Sequence, residues 1–143
     1  MTNAIWQSRY CHMAQMDYTA GDSVLAARVE DGVPVIDVVA FGKSVGFSAA
    51  ELANLIRIPA RTYARRVASK ARLKLDEGER AVRVMRLYGR AKRVFGSDEK
   101  TRLWLNRQLA VLGGRTPLDF ARTEPGAREV EAVLDRLEEG VFS

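Results

Sequence analysis

The residue types that most often catalyse reactions are scarce in this 143-residue chain, and they are poorly spaced. Cys11 and His12 are the single cysteine and the single histidine, too few for a zinc site and without an acid to orient them as a nucleophile–base pair. Glu129 and Glu131 lie two residues apart on a predicted helix, where each residue turns about 100°, so their carboxylates point apart. The glycine pair of LGGRT follows a helix rather than a strand, which is not a phosphate-binding loop. We therefore predict a binding protein, not an enzyme, without a cofactor or a metal.

Charge is distributed unevenly along the sequence. The net charge is +5, but residues 57–107 carry sixteen basic and five acidic residues, whereas the segments 1–56 and 108–143 each carry a net charge of −3. A basic centre between acidic ends predicts two different partner surfaces, although a solvated helix surface gives the same pattern. The single cysteine and the lack of a long apolar run favour a cytoplasmic protein that does not contact a membrane.

Hydrophobic periodicity and capping residues predict an all-α fold of about seven or eight short helices. Ser48, with Glu51 three residues later, forms a capping box that starts a helix. The valine-rich segment between Pro34 and Gly46 would also suit a strand, but no partner strand is evident, so we expect a helix there. Further along, Thr116 and Thr123 are predicted to cap the last two helices.

Two of these helices form a helix-turn-helix candidate, in which the helix over residues 49–56 packs on the core and a second, basic helix follows a short break. The turn between such helices usually carries glycine, because one residue there has a positive φ, but this chain has Arg57. The second helix is predicted to expose the residues that contact DNA, which are Arg61, Thr62, Tyr63, Arg65, Arg66 and Lys70.

A longer pattern occupies the last forty residues. Its pieces, in order, are Trp104-Leu105, Leu112-Gly113-Gly114, Pro117-Leu118, Thr123, Gly126, Glu129-Val130-Glu131, Leu134 and Gly140-Val141-Phe142. This order and spacing resemble the C-terminal toxin-binding domain of the Xre/MbcA/ParS antitoxin family. The upstream helices resemble the Xre-like DNA-binding part of that family, so the resemblance covers residues 22–143.

The resemblance implies an antitoxin of a type II toxin–antitoxin system. Such an antitoxin binds a RES-domain toxin, an enzyme that consumes NAD, and covers the entrance to its active site. Family antitoxins are also homodimers, and many repress their own operator DNA. The domains expected from this resemblance are an N-terminal arm at 1–21, a helix-turn-helix region at 22–75 and a helical toxin-binding domain at 76–143. A stand-alone helix-turn-helix transcriptional regulator is the alternative.

The sequence departs from the family pattern between Trp-Leu and Leu-Gly-Gly. Family members often have a proline-rich turn there, whereas residues 106–111 contain no proline. We therefore predict that the helix beginning after Ser97 runs unbroken to Leu112.

The C-terminal helix is predicted to provide much of the toxin-binding surface. After Gly140, in a left-handed conformation, Phe142 either folds back onto Leu134 and Leu137 or fills a pocket on the toxin. Acidic side chains and the carboxylate of Ser143 would be attracted to a site that binds the phosphates of NAD. The predicted toxin-binding residues are Gly113, Gly114, Arg115, Glu131, Asp135, Glu138, Glu139, Gly140, Val141, Phe142 and Ser143.

Overall fold

The computed structural model describes residues 20–140, and the chain divides into two compact units with a boundary between Ala81 and Val82. Within these residues the secondary structure consists of eight α-helices and one 3₁₀ turn, with two isolated β-bridges and no strand, so the all-α prediction is confirmed. None of the helices in this range is long and apolar enough to cross a membrane.

The helices follow one another with short connections. The first unit contains α1 (Asp22–Asp31), α2 (Val35–Val45), α3 (Ala49–Ile56), α4 (Ala60–Ser69) and the start of α5 (Leu75–Phe95). The second unit contains the rest of α5, then α6 (Asp98–Leu105), a 3₁₀ turn (Ala110–Leu112), α7 (Pro117–Phe120) and α8 (Glu124–Glu138).

The helix starts lie where the capping residues predict them. The Ser48 hydroxyl accepts a hydrogen bond from the Glu51 N–H at 3.1 Å, and the Glu51 carboxylate accepts one from the Ser48 N–H at 3.3 Å. The side chains of Thr116 and Thr123 accept hydrogen bonds from N–H groups three residues later. Each of these bonds satisfies a donor that the first turn of a helix leaves unpaired, and the predicted starts are confirmed.

The predicted unbroken helix from Ser97 to Leu112 is wrong. Ser97 does cap α6, but α6 ends at Leu105, and the Asn106 side chain donates a hydrogen bond to the Arg102 carbonyl at 2.8 Å. The chain then turns so that Leu112 is buried in the second unit. The Asn106 side chain, bonded to a carbonyl of the last helical turn, gives the backbone a local alternative to a continued helix.

The first unit has an apolar core in which α2 and α3 lie close together. Val35, Val38 and Phe41 of α2 are buried, and the rings of Phe41 and Phe47 lie 6.0 Å apart. A Cβ atom at Gly42 would lie 2.4 Å from Cδ1 of Leu52. Glycine at position 42 therefore allows the close approach of α3, the first helix of the helix-turn-helix.

The second unit has its own core beneath α8. Ala127, Val130, Val133 and Leu134 form the buried face of that helix, as its apolar stripe predicts. Other buried side chains come from α5, α6 and the 3₁₀ turn: Leu87, Tyr88, Leu105 and Leu112. Trp104 is half-buried, and its ring lies 5.2 Å from the ring of Phe95.

Candidate functional site

The turn between α3 and α4 has the conformation of a helix-turn-helix, although it lacks the usual glycine. Arg57 takes that position in the left-handed region, with φ 65° and ψ 45°. The Ile58 N–H donates a hydrogen bond to the Ala53 carbonyl at 3.0 Å, which closes the C-terminal end of α3. Ile56 and Ile58, on either side of Arg57, are buried.

The outer face of α4 carries part of the predicted DNA-contact set. Arg61 and Arg65 are exposed one turn apart, Lys70 is exposed at the end of the helix, and Thr62 is half-buried. In the part of the chain that the structure describes, no carboxylate forms an ion pair with Arg61 or Arg65. Two unpaired guanidinium groups on one helix face give this surface a positive potential.

Two members of the predicted DNA-contact set are not on that face. Tyr63 is only 4% exposed, and its burial raises the pKa of its phenol. Arg66 forms an ion pair with Glu77 of α5, and its side chain is 13% exposed. The prediction that α4 exposes both residues is therefore wrong, because they form part of the packing of the first unit. Tyr63 and Val67, one turn apart, are the apolar pattern that indicates this inner face.

The Leu-Gly-Gly-Arg segment forms a tight loop in the second unit. The Leu109 N–H donates to the Arg115 carbonyl at 3.1 Å, and the Gly114 N–H donates to the Leu109 carbonyl at 2.9 Å. Gly113 and Gly114 are exposed, with φ values of 68° and 82°. Val111 on this loop is 62% exposed, an apolar surface residue that the sequence reasoning missed.

Arg115 is exposed but held in place by its own unit. Its guanidinium carbon lies 5.1 Å from the centre of the Phe120 ring, and its Nη2 donates a hydrogen bond to the Asp119 carbonyl at 2.8 Å. The charge of Arg115 therefore has a defined place beside the two glycines, which favours recognition over a freely moving side chain.

Two of the predicted toxin-binding acids form ion pairs within the second unit. Glu131 accepts a hydrogen bond from Nε of Arg86 at 3.0 Å and also pairs with Arg90, and its side chain is 15% exposed. Asp135 pairs with Arg90 as well. Both acids are therefore ion-paired with α5, and their role in toxin binding stays a prediction. The signal was present in the sequence, since Arg86 and Arg90 and their acidic partners are each spaced by four residues.

Glu124 continues this set of ion pairs at the start of α8. It accepts hydrogen bonds from Arg83 at 3.1 Å and Arg86 at 3.0 Å. Partial burial alone would raise the pKa of Glu124, but the hydrogen bonds from the two guanidinium groups outweigh it, and the pKa lies below its ordinary value. We call these six residues the α5–α8 ladder: Arg83, Arg86, Arg90, Glu124, Glu131 and Asp135.

The remaining predicted toxin-binding residues lie at the end of the described chain. Glu138, Glu139 and Gly140 are exposed, and Gly140 has φ 69°, so its predicted left-handed conformation is confirmed. Val141, Phe142 and Ser143 lie outside the described residues, as do residues 1–19 of the predicted N-terminal arm. Among residues 20–140, no cluster of histidine, cysteine and acidic side chains could hold a metal ion.

Asp37 is a buried carboxylate that the sequence analysis did not single out. Burial raises its pKa to about 6, although the positive charges of Arg28 and Arg72 act in the opposite direction. Its Oδ1 atom has no hydrogen-bond partner among the described residues. The residue lies in the first turn of α2 and is not a member of either predicted contact set.

Comparison with known proteins identifies both parts of the chain. Residues 24–86 match the antitoxin Xre-like helix-turn-helix domain, and residues 90–140 match the antitoxin Xre/MbcA/ParS C-terminal toxin-binding domain. A protein named Antitoxin Xre from Yersinia enterocolitica is 37% identical over 78% of this chain and 74% of its own length. The chain belongs to the Xre antitoxin family.

Two further relatives support this assignment and cover most of the chain. Antitoxin Xre from Photorhabdus laumondii is 31% identical over 83% of this chain and 81% of its own length. Antitoxin Xre from Pseudomonas putida is 26% identical over 94% of this chain and 84% of its own length. The predicted family is confirmed, and this Xre-family antitoxin contains a helix-turn-helix domain and a toxin-binding domain.

Proposed function

We propose that this chain neutralises a RES-domain, NAD-consuming toxin by covering its active site, and that as a homodimer it represses its own operator. The observation that carries the proposal is the match of residues 90–140 to a toxin-binding domain. The exposed basic face of α4 supports the second activity, since a helix-turn-helix places its second helix in the major groove of DNA.

The toxin surface that we propose uses the exposed groups of the second unit. The Gly113–Gly114 backbone is open, because no atom lies within 4 Å of a Cβ built at either glycine, and a partner can approach it closely. Val111 adds apolar surface beside it, and Glu138 and Glu139 provide negative charge. A site that binds the phosphates of NAD is rich in cations, so an acidic helix end is electrostatically complementary to it.

NAD consumption by the purified cognate toxin tests the first activity. An excess of the full chain is expected to suppress consumption, and a chain that stops at Gly140 is expected to suppress it less while keeping its helical circular dichroism. A toxin that remains equally active with and without the full chain would contradict neutralisation. Full suppression by the shortened chain would contradict only the role of residues 141–143.

The contribution of the acidic helix end is tested by charge reversal. The pair Glu138→Lys and Glu139→Lys should slow association with the toxin by about 10-fold at low salt, and the difference should shrink as salt is added. The matched control reverses Glu30 and Asp31, another exposed acidic pair at the end of a helix, in the first unit. Equal effects of the two reversals would show that only net charge matters.

Operator binding is tested with a labelled duplex from the DNA immediately upstream of the gene. Replacing Arg61 and Arg65 by alanine should weaken specific binding by about 100-fold or more, because each arginine is expected to contact a base or a phosphate. The control replaces Arg93 and Arg107, two exposed arginines of the second unit, and should retain specific binding. If the Arg61 and Arg65 variant bound the operator as tightly as the unmodified chain, α4 would not be the recognition helix.

A further inference from the structure

Arg57, in the turn of the helix-turn-helix, is a residue whose identity the fold does not explain. Its φ of 65° lies in the left-handed region, which costs free energy for a residue with a Cβ atom and costs little for glycine. Non-glycine residues that persist in this conformation often lie at functional sites. The conformation therefore raises the question of what the arginine contributes.

The surrounding structure imposes the left-handed conformation whatever residue stands at position 57. The Ile58 N–H is bonded to the Ala53 carbonyl at 3.0 Å, and Nε of Arg80 donates to the Ile56 carbonyl. Ile56 and Ile58 are both buried, so the backbone on each side of Arg57 is anchored. Glycine would satisfy the same backbone with less strain, so folding alone does not account for arginine here.

The Arg57 side chain is directed to solvent, next to the beginning of α4. It is exposed, and no carboxylate forms an ion pair with it in residues 20–140. Arg57 precedes the first residue of α4 by three positions, and Arg61 is the second residue of that helix. Two guanidinium groups without acidic partners thus lie on either side of the start of the recognition helix.

We propose that Arg57 is a further DNA-binding residue, which contacts a phosphate of the operator beside the groove that α4 enters. The inference rests on the proposed operator binding. The anchored backbone fixes where the Arg57 side chain begins, so only side-chain freedom is lost when its guanidinium meets a phosphate. Such a contact fixes the protein on the duplex and adds affinity that depends on salt but not on sequence.

The experiment measures operator binding by fluorescence anisotropy between about 50 and 200 mM salt, together with thermal unfolding. The probes are a labelled duplex from the DNA upstream of the gene and a scrambled duplex of the same length. The variants are Arg57→Gly, Arg57→Asn, which also tolerates the left-handed region, and Arg57→Lys, which keeps the charge. The control is Arg107→Gly, which removes an exposed arginine outside the helices of the second unit.

Stability and binding are expected to change in opposite directions in Arg57→Gly. Its melting temperature should rise by about 2–4 °C, because the strain is relieved. Its affinity for both duplexes should fall roughly 10-fold, and the slope of log K against log salt should shrink by about one per contact. Arg57→Asn should also lose affinity, whereas Arg57→Lys and Arg107→Gly should bind nearly as tightly as the unmodified chain.

Two outcomes overturn the inference in distinguishable ways. In the first, Arg57→Gly and Arg57→Asn keep the affinity and the salt slope of the unmodified chain, while the Arg61 and Arg65 variant loses binding. This result would exclude Arg57 as a DNA-binding residue and leave the proposed operator binding in place. In the second, the unmodified chain binds the upstream and scrambled duplexes equally well. This result would contradict the proposed operator binding, and the inference about Arg57 with it. A lower melting temperature for Arg57→Gly would contradict the argument that the arginine is there for binding rather than for stability.

Discussion

Asp37 is a carboxylate that the first unit buries, and one of its oxygens has no hydrogen-bond partner within residues 20–140. Its pKa of about 6 lies above its ordinary value of 3.8, so the folded chain binds this proton more tightly than the unfolded chain. The stability linked to this proton is therefore fully present below about pH 4 and is lost as the pH rises through about 6. At neutral pH, Asp37 destabilises the fold.

Asp37→Asn is expected to raise the free energy of unfolding at pH 8 by about 1–3 kcal/mol, since a buried charge becomes a neutral amide. The gain should largely vanish near pH 4, where the wild-type side chain is protonated. Urea unfolding at both pH values measures the difference, and Asp31→Asn, at an exposed position, is the control. A gain that is the same at both pH values would contradict this account of Asp37.

Gly126 illustrates a steric requirement at a single position in the second unit. A Cβ atom there would lie 1.8 Å from the Phe120 carbonyl oxygen, and the Gly126 N–H is bonded to the Thr123 hydroxyl at 3.1 Å. Because the obstructing atom belongs to the backbone, it cannot rotate away as a side chain could. Glycine at position 126 therefore allows the Phe120 carbonyl to come close where α7 leads into α8.

Gly126→Ala is expected to destabilise the second unit by about 3 kcal/mol or more, because α7 or the start of α8 must shift. Gly96→Ala is the control: position 96 has φ 80° with open space around the Cβ, so it should cost only about 1 kcal/mol. Chemical unfolding of both variants gives the comparison. Similar losses in the two variants would show that the contact with Phe120 is easily relieved.

At the scale of elements, the α5–α8 ladder joins two helices of the second unit. Its pairs advance in the same direction along both helices, from Arg83 with Glu124 to Arg90 with Asp135. Arg83 is buried, so losing its acidic partner would leave a charge with reduced access to water. The ladder holds α8 on α5 in addition to the apolar face of α8.

Glu124→Gln is expected to lower the free energy of unfolding at pH 7 by about 1–3 kcal/mol. Because the pKa of Glu124 is depressed in the folded chain, its stabilisation is present above its ordinary pKa of 4.5 and is lost as the pH falls through the folded-state value. The difference between Glu124→Gln and the unmodified chain should therefore shrink in acid. Urea unfolding at neutral and acidic pH measures this difference, and Glu129→Gln, at an exposed position, is the control. Equal losses of stability in both variants would contradict a stabilising role for the ladder.

The sequence predicts elements best where a local interaction decides them. The capping box of Ser48 and Glu51 and the caps at Thr116 and Thr123 are side-chain-to-backbone bonds within three residues, and all are present. Beyond the end of α6 the chain turns instead, and Leu112, seven residues after Leu105, packs in the core of the second unit. Local propensity contains no information about that contact, so the helix was predicted too long.

The candidate sites show the same limit, because residue type alone does not give the direction of a side chain. Arg61 and Arg65 are exposed as predicted, but Arg66 points inward to Glu77. Glu131 and Asp135 look like surface acids until their partners on α5 are known. Charge identifies a binding surface, whereas the packing of neighbouring helices decides which charges remain free for it.

At the scale of the whole molecule, we propose two separate binding surfaces, one in each compact unit. The basic face of α4 would bind DNA, and the exposed loop and acidic helix end of the second unit would bind the toxin. Because these surfaces share no residue, substitutions on one should leave the other activity intact.

The most direct test of this claim measures both activities in the same two variants. The Arg61→Ala and Arg65→Ala variant is expected to lose specific binding to the upstream duplex but still suppress NAD consumption by the cognate toxin. The Glu138→Lys and Glu139→Lys variant is expected to bind the duplex normally but to suppress the toxin less well. If either variant kept its helical circular dichroism and its melting temperature yet lost both activities, two independent surfaces would be contradicted.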